Sequence, residues 1–192
     1  MSVEPWSPEA FEARYRTEGD PWDFAHSAFE QARYDDLMQC LPRAHYEHAY
    51  EPGCAVGALT ERLARRCARV DAVDVSPTAA EWARDRCAGL PGVRVCVGSV
   101  EDDPPSDLDL VVFAEIGYYF DTTRLGEIVD RLAGAVVPGG ELLACHWTGS
   151  SEDHRLPGGV VHEVLAARLR DAWDHIGHAV RTDYVVDVWC RR

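Results

Sequence analysis

The chain reads as an α/β protein: a mostly parallel sheet with helices packed on both faces. Strands and helices alternate over roughly 150 residues, the pattern of parallel-sheet proteins. Residues 108–114 (LDLVVFA) are apolar except for Asp109, which suits a strand covered on both sides. A glycine-rich turn, Pro52 to Ala58, joins the first strand to the helix that follows it. In such sheets ligands sit beyond the carboxyl ends of the strands, so chemistry is expected there.

The elements follow in order. From residue 8 to about 41 the spacing is helical, with Phe11, Tyr15, Phe29, Arg33 and Leu37 in register and an interruption at Gly19-Asp20-Pro21. Residues 49–51 form a short strand, and 59–66 a helix with Leu59 and Leu63 on one face. Residues 70–75 are a buried strand, 77–87 a helix, and 93–97 a third strand. Residues 125–136 are helical and stop at Pro138-Gly139-Gly140, after which 141–146 (ELLACH) is the next strand. A helix over 160–177 and a closing strand or hairpin over 180–189 complete the chain. No repeat or low-complexity linker divides it, so one domain is expected: an N-terminal helical segment over 1–45 and a core over 46–192.

Composition narrows the function. The 192 residues are 46% hydrophobic and 27% charged, ordinary for a globular protein. Nineteen basic residues against 33 acidic ones leave a net charge of −14, unsuited to nucleic acid or an anionic membrane surface. A small molecule or a neutral or cationic partner fits better. Seven scattered cysteines without a CxxC pair argue against a disulfide framework or structural zinc, and for a reducing compartment. The N-terminus has no leader pattern and no apolar run nears a membrane span, so a cytoplasmic location is expected.

The turn Glu51-Pro52-Gly53-Cys54-Ala55-Val56-Gly57-Ala58 places glycines at its first and fifth positions, with Ala55 at the third. It resembles motif I of class I S-adenosylmethionine methyltransferases. The likeness continues with Asp74 at the end of the second strand, Gly98-Ser99-Val100-Glu101 after the third, and Leu132 followed by Pro138-Gly139-Gly140 and Leu142. That resemblance implies a seven-stranded Rossmann-like sheet and S-adenosyl-L-methionine as cofactor. Gly53, Ala55 and Gly57 would let it approach backbone, Glu51 would face its ammonium, and Asp74 and Val75 its ribose. Ser99 stands where the family usually carries an adenine-reading acid, leaving that contact to Ser99, Val100, Glu101 or Asp102. The residues alone leave other roles open, since a bare tight turn uses the same glycines and Asp74 before Ser76-Pro77 suits a helix cap.

Asp20-Pro21-Trp22-Asp23-Phe24, Glu30-Gln31-Ala32-Arg33-Tyr34, Ala114-Glu115-Ile116-Gly117-Tyr118-Tyr119 and Cys145-His146-Trp147 are similar to the nodulation protein S family. This implies an acceptor that is a sugar hydroxyl or an aminosugar amine. The N-terminal helices would form a lid, with Trp22 covering the cofactor and Arg33 pairing with its carboxylate as a planar fork. His146 and Glu115, at the ends of central strands, are the catalytic candidates, His146 as base and Glu115 as orienting group. Tyr118 and Tyr119 would supply hydroxyls and aromatic walls, or pack beneath the lid. His45 with His48, and His175 with His178, are i,i+3 pairs without a third ligand in sequence, so solvated helix faces are expected and no metal site. His154 and His162 lie in the segment that often borders the acceptor. A dehydrogenase using NAD and an idle nucleoside-binding protein are the rival readings. A monomer or homodimer is expected.

Overall fold

In the computed structural model residues 4–192 are described, so residues 1–3 of the expected N-terminal segment lie outside it. The order is α1 (Pro8–Glu18), α2 (Ala28–Cys40), β1 (Tyr46–Pro52), α3 (Ala58–Leu63), β2 (Cys67–Asp74), α4 (Pro77–Arg86), β3 (Val93–Val97) and β4 (Leu108–Ala114). Then come a 3-10 turn (Gly117–Tyr119), α5 (Thr122–Ala135), β5 (Val136–Trp147), α6 (Gly158–Leu169), β6 (Trp173–Val180) and β7 (Tyr184–Arg191). The seven strands form one sheet in the order β3-β2-β1-β4-β5-β7-β6. β1 to β5 pair in parallel, and β6 and β7 add an antiparallel edge. The order reverses between β1 and β4, where a cleft is expected to open.

Local chemistry sets the helix starts. Ser7 accepts from Ala10 N at the head of α1, Ser76 from Ala79 N at α4, and Asp121 from Arg124 N at α5. Pro8 and Pro77 occupy the first helical turns, where no backbone donor is needed. β4 shows why the sheet is sandwiched. Its Leu110 and Val112 pack with Leu37, Leu63 and Val70, whereas Val111 and Phe113 pack with Leu125, Ile128 and Leu165 on the other face. Asp109, its one charge, accepts from Glu47 N and His48 N and pairs with Arg43.

α1 and α2 are tied onto this core by charge. The Glu12 carboxylate accepts from Ser76 Oγ at 2.7 Å and from Thr78 N at 3.1 Å, so α1 docks on the head of α4. Asp36 of α2 accepts from Arg181 and from the Tyr184 hydroxyl at 3.0 Å.

Two expectations need correction. α5 ends at Ala135, and Pro138-Gly139-Gly140 lies inside β5. The register jumps from Leu108↔Val136 to Leu110↔Glu141, so these residues bulge out of the ladder, with Gly139 at φ +79°. α6 stops at Leu169, and 173–180 is a strand, not a helix. β6 is an edge strand with Ile176 and Val180 exposed, so its sequence carries no clean alternation to betray it. His175 and His178 therefore lie on a strand; His45 precedes β1 and His48 lies within it, so neither pair is helical. Among the described residues, no helix is long and apolar enough to cross a membrane.

Gly57 heads α3 at φ +78°, and a Cβ there would meet Ala83 Cα at 2.9 Å. Gly57→Ala should therefore cost about 1–3 kcal/mol, from backbone strain plus the α3–α4 contact. Urea unfolding checks this, and an unchanged midpoint would contradict the close approach.

Candidate active site

A cleft of about 450 Å³ opens at the carboxyl ends of β1, β2 and β4. One half is built by the glycine turn. Gly53 N and Cys54 N both donate to Val73 O, and Ala55, at φ 48°, donates its N–H to Asp74 Oδ2 at 2.9 Å. Asp74 Oδ1 accepts from Ser76 N at 2.9 Å, so this carboxylate braces the turn while Ser76 itself caps α4. Burial outweighs these donors and pushes Asp74 up to about 6. Its second lone pairs remain for a diol at the cleft wall. A Cβ on Gly53 would meet Ile116 Cγ2 at 2.5 Å, so only glycine lets the turn lie this close to the β4 loop.

Val75, Ser99, Val100 and Glu101 continue this wall. Ser99 Oγ accepts from Glu101 N, and the Asp102 carboxylate accepts from Ser99 N at 2.8 Å. Asp102 therefore belongs to the loop, and Glu101, paired with Arg124, is the acid that lines the cleft.

Glu115 organises the other half. It follows the last residue of β4 at φ +59°, its N–H donating to Cys145 O. Its Oε1 accepts from Trp147 N at 2.7 Å, and Oε2 from the Tyr118 hydroxyl and Arg33 Nη1, both at 3.0 Å. Arg33 is fully buried, bonds Glu30 at 2.5 Å through Nη2, and has a buried Nε–H with no partner. Tyr118 stacks on His154 with ring centroids 3.7 Å apart, and Tyr119 meets Phe11 edge-on at 4.9 Å. Trp22 lies against the Phe24 ring at 5.6 Å, and both line the cleft below α1.

Three expected site residues do not reach the cleft. His146 is fully buried. Its Nε2 accepts from Gly117 N at 3.0 Å and its Nδ1 meets His162 Nε2 at 3.1 Å, so both nitrogens are engaged away from the cleft. Burial, then the neighbouring His162, holds its pKa well below the usual histidine range. The strand end carries it inward because β5 alternates, and its neighbour Trp147 takes the cleft-facing place. Gly57 packs on Ala83 and is not part of the wall. Glu51 sits behind the turn, 4% exposed, in a separate recess of about 30 Å³ that shares Gly53, Ala55 and Glu115 with the cleft. Thr60 Oγ1 donates to it at 2.6 Å, yet burial pushes it up to about 8.

Sequence reasoning gave Glu30 no place in the wall, and reached Asp153 and His154 only through the segment after the fifth strand. His154 has a buried Nδ1 without a partner, and burial lowers its pKa. Only its place after the fifth strand hinted at this. Among the described residues, five carboxylates, Glu30, Asp74, Glu101, Glu115 and Asp153, line the cleft with one arginine, Arg33, while Arg124 and Arg14 pair with Glu101 and Asp153. The wall suits a cationic or hydroxyl-rich ligand.

A seven-stranded sheet with β7 inserted antiparallel beside β5, and a cleft at the β1–β4 reversal, is the class I methyltransferase fold. The chain belongs to the nodulation protein S family, whose profile matches residues 12–148. It is 34% identical over 127 residues to nodulation protein S of Sinorhizobium fredii, covering 65% of this chain and 59% of that protein. The chain thus spans under two thirds of that relative's length. A candidate methyltransferase structure from Pseudomonas syringae is 34% identical over 86% of this chain and all of its own, with a TM-score of 0.76. The N-methyltransferase nodulation protein S of Bradyrhizobium japonicum, solved with S-adenosyl-L-homocysteine, superposes with a TM-score of 0.83 at 23% identity, covering 96% of this chain and 98% of its own.

The raised Glu51 gives a pH test. Its folded pKa, about 8, exceeds the ordinary carboxylate value, so its stability contribution is greatest at acid pH and is lost as pH rises from about 4.5 through 8. The melting temperature of the free protein should fall over that window, and Glu51→Gln should flatten the fall. Parallel curves for the two proteins would contradict the assignment.

Proposed function

We propose that the chain is an S-adenosylmethionine-dependent methyltransferase that methylates the amine of a small polar acceptor of aminosugar type. The observation that carries the amine reading is the concentration of carboxylate oxygens in the cleft wall, with Glu30 and Glu115 shared by Arg33 and with Glu101 and Asp153 paired with Arg124 and Arg14, whose remaining lone pairs suit an ammonium. Family membership supports the cofactor, and so does the chemistry of the wall. Arg33 offers an unpartnered buried Nε–H to a carboxylate, Asp74 offers free lone pairs to ribose hydroxyls, and the Gly53 turn admits close approach. When bound, the cofactor supplies an electrophilic methyl group on a sulfonium sulfur.

The residues then do the following. Glu115, oriented by Arg33, Tyr118 and Trp147 N, holds the acceptor's ammonium in line. His154, kept neutral by burial, takes the proton that must leave nitrogen before attack. Tyr118 and Tyr119 wall the acceptor, and the Tyr118 hydroxyl keeps Glu115 in place. Trp22 and Phe24 exclude water as part of a lid formed by α1 and α2, which opens for release. His146 buttresses the Gly117 turn and has no direct part in proton transfer.

A sugar hydroxyl is the second reading, favoured by the same free His154 nitrogen, because a hydroxyl needs a base during attack. Turnover against paired amine and hydroxyl acceptors separates the two. For an amine, the loss in His154→Gln should be clear at pH 7 and shrink at pH 9, where the free amine is already present. For a hydroxyl, it should stay near 10²–10⁴-fold at both. Asp74→Ala should weaken S-adenosyl-L-homocysteine binding by about 1.5–3 kcal/mol in calorimetry. Binding of NAD without binding of S-adenosyl-L-homocysteine, or tight cofactor binding with no turnover of any acceptor, would overturn the proposal.

A further inference from the structure

The C-terminal hairpin, on the α6 side of the sheet and away from the cleft, carries a second cluster of chemistry-bearing side chains. His175 Nε2 lies 2.6 Å and His178 Nδ1 2.7 Å from the same oxygen, Asp187 Oδ1. The three ligand atoms all fall within 4.8 Å of one another. We propose that His175, His178 and Asp187 form a binding site for a divalent transition cation of the zinc type.

The backbone is built to make this cluster. Residues three apart on a regular strand point to opposite faces, so His175 and His178 should diverge. Between them the pairing jumps from His175↔Trp189 to Gly177↔Val188, leaving Ile176 as an extra residue. That bulge restores parity and puts both imidazoles on one face, with His178 directly opposite Asp187. His175 is further fixed by stacking on Trp189, ring centroids 5.2 Å apart.

The donor set fits the ion. Two neutral imidazole nitrogens and one carboxylate oxygen are borderline ligands that zinc, cobalt and nickel accept, whereas magnesium and calcium prefer oxygen alone. Around a tetrahedral zinc with bonds of about 2.0–2.1 Å the ligand atoms stand about 3.3 Å apart. The two hydrogen-bonded contacts, at 2.6 and 2.7 Å, therefore need to open by only about 0.6–0.7 Å. Both imidazoles are half exposed, at 47% and 54%, and can make that movement while leaving coordination positions for water. Asp187 is held for the task from behind, where its Oδ2 accepts from His162 Nδ1 at 2.5 Å. That hydrogen bond orients it before any ion arrives, as partners behind ligating carboxylates do.

The test uses the full chain without an affinity tag, stripped with chelator. Zinc titration by calorimetry should show one equivalent bound, and cobalt should give the visible absorption of an N/O-ligated ion. His175→Ala and His178→Ala should each weaken zinc by more than the roughly 10–100-fold that loss of an outer-shell partner costs. The double variant should bind none at this stoichiometry, and thermal melts show that it remains folded. No zinc bound by the native chain, or a double variant that binds as the native chain does, would overturn the proposal.

Discussion

The buried guanidinium of Arg33 must be neutralised, and Glu115 does it from the end of the central strand. A charge this deep is tolerated only when paired and hydrogen-bonded. The pairing draws α2, β4, the Gly117 turn and the end of β5 to one point, because the same carboxylate also holds Tyr118 and Trp147 N. Glu115 sits at φ +59° to reach them. Strain of that kind persists where the surroundings over-determine it, often at functional sites. Arg33 bonds Glu115 and Glu30 through two of its nitrogens, and its buried Nε–H has no partner. Cleft shape and cleft chemistry thus come from one ion-pair arrangement.

Behind the cleft a second polar chain supports the same turn. Gly117 donates to His146 Nε2, so the His146 proton sits on Nδ1 and points at His162 Nε2. His162 in turn donates through Nδ1 to Asp187. Every polar nitrogen in that chain is satisfied with both imidazoles neutral, the condition under which a buried network rigidifies a core. His146 serves here as a spacer between sheet and turn, packed against Phe113 and Tyr118. The proposed cation site hangs on the far end of this chain, at the other oxygen of Asp187.

Much of the fold can be read directly from residues. Residues 93–97 and 108–114 are apolar apart from Arg94 and Asp109 and are bounded by turn residues, and β3 and β4 fall on those limits. Ser-Pro pairs at 7–8 and 76–77 mark two helix starts. The misses have physical causes. Pro138-Gly139-Gly140 resembles a helix stop because a bulge and a turn use the same residues. β6 is exposed at the sheet edge and interrupted by its own bulge, so neither period shows in its sequence. For the site, Glu115, Tyr118, Tyr119, Arg33 and Asp74 stood out by their places at strand ends and in family motifs. Glu30 did not, since only the docking of α2 brings it to the wall, and Asp153 and His154 showed only as members of the segment after the fifth strand. His146 misled because a strand end faces either the cleft or the core, and one residue of register decides which.

The account turns on Arg33 keeping one donor for a ligand carboxylate while Glu115 and Glu30 hold its other two nitrogens. A crystal structure of the chain with S-adenosyl-L-homocysteine tests this directly. The prediction is density in the cleft with the ligand carboxylate in hydrogen-bond distance of Arg33 Nε and the ribose hydroxyls on Asp74. A ligand bound elsewhere, or bound in the cleft with its carboxylate away from Arg33, would contradict it.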